Sequence, residues 1–306
     1  MDTKKMENSG YVATIGMFDG VHRGHQFVLR QVIETAHERG LKSMAITFDH
    51  TLRREQLLTT LDEKLSLISK TGIQRTEVLQ FSDSLKQMTA YEFMKHVLSE
   101  QLGVKVLLTG YDNRFGHNRE EGFDDYVRYG QQLDIEVLQL PAEGDVSSSL
   151  VRNLLNEGRV DEATQALGHP YQLTGHVEHG EHIGTQLGFP TANLVPYESL
   201  QLVPATGAYA VQVMLDNDTQ LYAGMMNIGK RPTFEGHRTT LEVHVLHLDK
   251  DLYGQRVTVS FIQRLRDEQR FDSAEALKGQ LQRDAQQVEN LFKKTRLKIK
   301  DEKSNS

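Results

Sequence analysis

Residues 11–29 read YVATIGMFDGVHRGHQFVL. Tyr11 to Ile15 form a short apolar run that stops at Gly16, the signature of a buried strand. From His25 to Arg39, apolar Val28, Leu29, Val32, Ile33 and Ala36 recur at helical spacing. Between strand and helix, Gly16, Gly20 and Gly24 let the backbone come close to a bulky ligand. The helix start offers free N–H groups and the positive end of a dipole to an anion. His22 and His25 would stand at that start, where two imidazoles can donate hydrogen bonds to phosphate oxygens and stabilise charge developing in a transition state. The stretch also reads as a glycine-rich turn with two incidental surface histidines, in a chain that holds 13. A zinc site fits poorly, because no further His, Asp or Glu falls at ligand spacing on the same helix. The chain has neither a Walker-type loop nor a Gly-x-Gly-x-x-Gly run, so any nucleotide is held by another device.

Working outward, the first half alternates. Strand patterns at 43–48, 76–81, 104–110 and 135–140 are separated by helical patterns at 61–70, 91–102 and 123–133. Such alternation implies a parallel sheet covered on both faces, with ligands beyond the C-terminal ends of its strands. The opening motif follows a strand directly and falls where that rule puts a site. A helix from Ser149 to Leu167 finishes this domain, assigned to residues 1–168. After Gly168 the rhythm changes to closely spaced strands: YQLTGHV, GAYAVQVML, TQLYAGMMNI, TTLEVHVLHL and QRVTVSFI. They predict a small antiparallel β-barrel over 169–296 that ends in an amphipathic helix from Ser273 to about Phe292. The charged tail 297–306 is expected to be disordered.

The chain has 306 residues, enough for two domains. Its net charge of −7 argues against a general nucleic-acid binder. It has no cysteine, which excludes disulfides and thiolate metal sites. No secretory signal and no membrane-spanning apolar segment is seen, so a cytoplasmic protein is expected.

Gly16-x-Phe18-Asp19-Gly20-Val21-His22-x-Gly24-His25 resembles the HxGH signature of the nucleotidyltransferase superfamily, and more narrowly that of the prokaryotic bifunctional FAD synthetases. The resemblance continues in order from about Tyr11 to Leu291. It implies a Rossmann-like FMN adenylyltransferase domain followed by a riboflavin kinase barrel. His22 and His25 would hold ATP phosphates, and Phe18 and Asp19 would shape the nucleotide pocket. TGYDNRFGHNREEG (109–122) resembles the family's Gly-x-Asp-Phe-x-Phe-Gly loop, with Gly110, Asp112, Phe115 and Gly116 matching. VSSSLVR (146–152) resembles a further phosphate motif, in which Ser148, Ser149 and Arg152 contact the same oxygens; by itself the run reads as a helix N-cap. Asn113, Ser149 and Leu150 depart from the family pattern, and ITFDHTLRR (46–54) lacks the Pro-His-Pro that usually contributes to the flavin side.

In the second domain, GEHIGTQLGFPTANL (180–194) resembles the riboflavin kinase signature. There Gly180 and Gly184 would let a flap close over phosphates, while Thr191 and Asn193 offer oxygen ligands to Mg²⁺. Along LEVHVLHL (241–248), strict alternation sets Glu242, His244 and Leu246 on one face and Leu241, Val243 and Val245 on the other. Glu242 matches the family's catalytic base for the riboflavin 5′-hydroxyl. Read as structure alone, it is a solvent-facing strand residue. LRDEQRF (265–271) would bring Arg266 to the flavin or the nucleotide phosphates. The resemblance thus implies ATP, Mg²⁺ and the flavins riboflavin, FMN and FAD as ligands of a monomer or weak homo-oligomer, with no nucleic acid or membrane partner. Two alternatives stand beside it: a kinase with a weakened adenylyltransferase, and a flavin- or nucleotide-binding regulator without turnover.

Overall fold

The computed structural model describes residues 10–49, 56–110, 114–117, 120–141, 144–178, 187–216, 218, 220–233 and 236–304. Asp112, Gly180 and Gly184 lie outside them. Internal contacts divide the chain into Met1–Ser148 and Ser149–Ser306.

In the first unit, β1 (Tyr11–Ile15), α1 (Arg23–Arg39), β2 (Lys42–Phe48), α2 (Leu61–Ser69) and β3 (Arg75–Leu79) follow the expected alternation. Next come α3 (Asp83–Gln87), α4 (Ala90–Glu92) continued by a π-helix over Phe93–Gln101, β4 (Val104–Thr109), α5 (Phe123–Leu133) and β5 (Glu136–Gln139). The strands lie in the order β3-β2-β1-β4-β5, all parallel. Successive side chains feed opposite cores. Val12, Ala45, Val106 and Leu108 pack with Leu29, Val32 and Ala36 of α1. Ala13, Ile15, Met44 and Leu107 pack on the other face with Phe93, Met94 and Tyr126. Covering both faces leaves only the strand ends open, and the order reverses between β1 and β4, where a parallel sheet makes its crevice.

In the second unit, β6 (Gln172–Glu178), β7 (Ala192–Pro196), β8 (Gly207–Leu215), β9 (Leu221–Thr233), β10 (Gly236–Val245) and β11 (Arg256–Arg266) close into a barrel in the order β10-β7-β6-β11-β8-β9. Closure leaves no free sheet edge. The expected helix over 149–167 is two helices, α6 (Ser148–Asn156) and α7 (Val160–Leu167), broken at Gly158 with φ +75°. Except for Ser148 at its start, this pair groups with the barrel, so the division falls about twenty residues before the expected boundary at Gly168. The reason is packing. Leu155 O accepts from Ala205 N at 3.0 Å, and a Cβ on Gly158 would stand 2.8 Å from Arg264 Nε. Val151, Leu155, Val160 and Leu167 are fully buried, and each such side chain is worth about 1.5–3 kcal/mol when removed from water. The last helix, α8 (Ala274–Ser304), runs through residues 297–304, where the sequence predicts disorder; lysine and glutamate are good helix formers even without apolar neighbours. Val288 of α8 is buried against Ala210, Met225 and Leu246 on the barrel's outer surface.

Candidate active sites

The opening motif builds its own geometry. His22 is the N-cap of α1: its extended backbone (φ −64°, ψ 171°) turns the ring so that Nδ1 accepts from His25 N at 3.4 Å. This satisfies one orphan donor of the first turn. It also assigns the proton of the neutral ring to Nε2, since an acceptor nitrogen carries none. Gly24 makes the cap fit, because a Cβ there would stand 3.2 Å from His22 Cε1. The two imidazoles stack with centroids 3.6 Å apart, and Phe18 meets His25 edge-on at 5.2 Å. His25 Nδ1 is buried without a hydrogen-bond partner. Burial, then the neighbouring His22 and Lys64, hold the His25 imidazole well below its ordinary range, so it is neutral at pH 7. A neutral imidazole keeps one N–H donor.

The turn that carries these rings is strained. Phe18 (φ 49°) and Val21 (φ 39°) adopt left-handed backbone, which is rare for any side chain and worst for a β-branched one. Each such residue costs on the order of 1–3 kcal/mol and persists only where its surroundings hold it. Asp19 is one of the holders. Its carboxylate is buried and accepts from Leu58 N (3.0 Å) and Thr59 N (3.2 Å), while Gly20 N donates to Thr59 Oγ1 (3.2 Å). Asp19 and Gly20 thus sit behind the site as a clamp on the next loop.

In front of the turn is a cavity of about 920 Å³. Gly16, Phe18, His22, Gly24, His25 and Ser148 are among the residues that line it. Ser148 Oγ donates to Asp19 O at 3.0 Å, which ties the 146–148 run to the motif. Ser149 and Arg152 follow on α6, across the division. The apolar Phe48, Phe81, Leu85, Met88, Phe93 and Phe115 line the cavity too, from the end of β2, the residues after β3, α3 and the residue after it, the start of the π-helix and the loop after β4. That loop is pinned: His117 N donates to Met88 O at 2.8 Å, and a Cβ on Gly116 (φ +94°) would meet Ala90 N at 2.7 Å.

In the barrel, strand register assembles the second site. Glu242 on β10 pairs with Asn193 on β7 and with Asn227 on β9, and Asn193 pairs in turn with Glu178 on β6. Directly paired residues share a face, so Glu178, Asn193, Glu242 and Asn227 form one polar row across four strands. Thr191 stands just before β7. His244, two residues on from Glu242, hydrogen-bonds from Nδ1 to Pro190 O at 2.7 Å. A carbonyl only accepts, so Nδ1 carries the proton. Burial pushes this imidazole below its ordinary range. His244 also meets Phe189 edge-on at 5.3 Å, so it anchors the turn leading to Thr191.

Arg266 is held by the last helix. Its guanidinium bonds Asp284 Oδ2 of α8 at 2.9 and 3.0 Å, where Gln280 Nε2 takes the other carboxylate oxygen at 2.7 Å. It docks the last helix. The same segment instead delivers Glu268: a Cβ on Gly229 would lie 2.9 Å from Glu268 Oε1 and 3.4 Å from Asn227 Nδ2. Glu178, Asn227 and Glu268 were not named as site residues from sequence, because only register sets Glu178 and Asn227 in this row and only the segment after β11 brings Glu268 to Gly229 and Asn227.

Known proteins divide in the same way. A family model described as FAD synthetase matches residues 4–150, and one described as riboflavin kinase matches residues 167–292. The bifunctional riboflavin kinase/FMN adenylyltransferase of Pseudomonas fluorescens is 40% identical over 289 residues, covering 91% of this chain and 92% of its own. Its namesake in Escherichia coli is 38% identical over 294 residues, covering 92% and 93%. A crystal structure described as a macrolide-efflux protein from Streptococcus pneumoniae superposes with a TM-score of 0.84 at 31% identity, covering 92% and 94%. Among the described residues no helix is long and apolar enough to cross a membrane. With both halves matched in order and full-length relatives at this identity, the chain belongs to the bifunctional riboflavin kinase/FMN adenylyltransferase family.

Proposed function

We propose that the barrel unit transfers the γ-phosphate of ATP to riboflavin at Glu242, and that the sheet unit transfers an adenylyl group from a second ATP to the resulting FMN in the cavity beside His22 and His25. The observation that carries this reading is a single cavity lined both by stacked imidazoles at a helix start and by six apolar side chains. The imidazoles suit phosphates and the apolar side chains a flat ring system. A volume of about 920 Å³ is at the upper end of the range for small-molecule pockets, as two substrates held together require.

In adenylyl transfer, an FMN phosphate oxygen attacks the α-phosphorus of ATP. The bond from that phosphorus to the bridging oxygen breaks, and pyrophosphate leaves. His22 Nε2–H and the His25 ring donate to oxygens whose charge rises in the transition state, and their stacked, capped geometry spares reorganisation at that moment. The first turn of α1 adds its N–H groups and dipole. Ser148, tied to Asp19 O, serves the phosphates beside the two rings.

In the barrel, Glu242 accepts the proton of the riboflavin 5′-hydroxyl as that oxygen attacks the γ-phosphorus. Asn193 and Asn227 flank the carboxylate and fix its place in the row, and His244 fixes the turn before Thr191. The donor set of Thr191 and Asn193 fits Mg²⁺: both offer hard oxygens, and Mg²⁺ takes few protein ligands and keeps several waters. When bound, Mg²⁺ neutralises phosphate charge during transfer. Both reactions draw on ATP, and the reading assigns the enzyme to the cytoplasm. Incubation with riboflavin, ATP and Mg²⁺, with flavins separated by chromatography, tests it: FMN appears first and FAD follows. A flavin pool that stays riboflavin refutes the kinase assignment, and one that stops at FMN refutes the adenylyltransferase.

A further inference from the structure

Lys64 lies on α2, outside every motif described above, and is wholly buried. A lysine is almost never fully buried unless its ammonium is paired. Here the partners are main-chain oxygens: Nζ donates to Phe48 O at 2.7 Å and to Met17 O at 3.3 Å. Met17 follows β1 and Phe48 ends β2, and both line the cavity. Asp19 and Asp49 are near enough to favour the charged form, but burial outweighs them and brings the ammonium down to about 8. An apolar side chain of the same length would fill this space without that desolvation, so packing alone does not account for a lysine here.

Several hydrogen bonds on the strained turn come from residues 47–64. Thr47 Oγ1 joins Lys64 on Met17 O at 3.3 Å, while Leu58 and Thr59 hold Asp19 and Gly20. The Thr60/Glu63 capping box starts α2 and fixes where Lys64 emerges. Met17 enters the turn that runs through left-handed Phe18 and Val21 to His22.

We propose that Lys64 is a positioning residue for adenylyl transfer: from behind the cavity wall its ammonium ties the ends of β1 and β2 together and holds the Met17–Val21 turn in the shape that presents His22 and His25. This rests on the reading of the sheet unit as the adenylyl-transfer site. Lys64 is not among the residues that line the cavity, so it acts on the rate through the placement of the two rings.

The test uses the full chain, with FMN and ATP for one reaction and riboflavin and ATP for the other. Lys64→Met keeps length and removes the donors. Misplacing reacting groups by about 1 Å costs about 10²-fold, so kcat for FAD formation should fall by that order. The KM values for ATP and FMN should stay within about threefold, because ground-state contacts are retained. Riboflavin phosphorylation should be unchanged. Lys64→Arg keeps charge and donors and should recover kcat to within about tenfold of the unsubstituted enzyme. A Lys64→Met enzyme with undiminished kcat overturns the proposal, as does a loss confined to KM. If Lys64→Met does not fold, Lys64→Arg decides: folded and active supports the proposal, folded and inactive overturns it. An unsubstituted enzyme that makes no FAD from FMN refutes the underlying reading instead.

Discussion

Glu242→Gln should stop riboflavin phosphorylation while leaving FAD formation from supplied FMN intact. The amide keeps the shape of the carboxylate and its place between Asn193 and Asn227, so the polar row survives. What goes is the proton acceptor. A positioned general base contributes about 10² to 10⁴-fold, and the rate of FMN formation should drop by that factor with little change in the KM for ATP. Initial rates with riboflavin and ATP check this. A near-normal rate would reduce Glu242 to an ordinary strand residue and move the base elsewhere in the row, with Glu268 beside Asn227 the first place to look.

His25→Ala should do the opposite. FMN accumulates from riboflavin and is not converted. Loss of one preorganised donor to a developing charge costs about 3 kcal/mol, or roughly 10² to 10³-fold in kcat. The removed ring also supports its neighbour, since His22 stacks on it at 3.6 Å. Removing both rings should therefore cost less than the product of the single losses. His22→Asn should be milder, for a structural reason. Asparagine is among the best N-cap residues, so its side-chain oxygen can replace His22 Nδ1 on His25 N while its amide still donates. Rates of FAD formation from FMN for the three variants check the order. Normal FAD formation by His25→Ala would leave the glycines and histidines as a turn that caps a helix.

The fold was legible where burial has a simple period. Tyr11–Ile15 and Arg23–Arg39 form strand and helix as their apolar spacing requires, and the alternation along 241–245 appears as alternating burial on β10. β7 was less legible, because only Leu194 of its five residues is buried and it sits inside a run dominated by its polar signature. Gly158 split a helix that apolar spacing alone reads as continuous. The sites were legible as residue types but less so as directions. Asp19 stands beside cavity-lining residues in the chain yet points back to Leu58 and Thr59. Arg266 carries the charge a phosphate needs, and Asp284, eighteen residues on, takes it. Lys64 had no signal, because one lysine in an amphipathic helix reads as solvent-facing until the fold buries it.

The account's central claim is that one chain performs two successive reactions at two independent sites, and mixing the two variants tests it most directly. Glu242→Gln and His25→Ala are incubated with riboflavin, ATP and Mg²⁺, separately and together, and riboflavin, FMN and FAD are separated by chromatography. The account predicts that the first variant alone leaves riboflavin, the second alone stops at FMN, and the mixture makes FAD, because FMN released by one enzyme enters the cavity of the other. FAD from either variant alone at the unsubstituted rate, or none from the mixture, would contradict it.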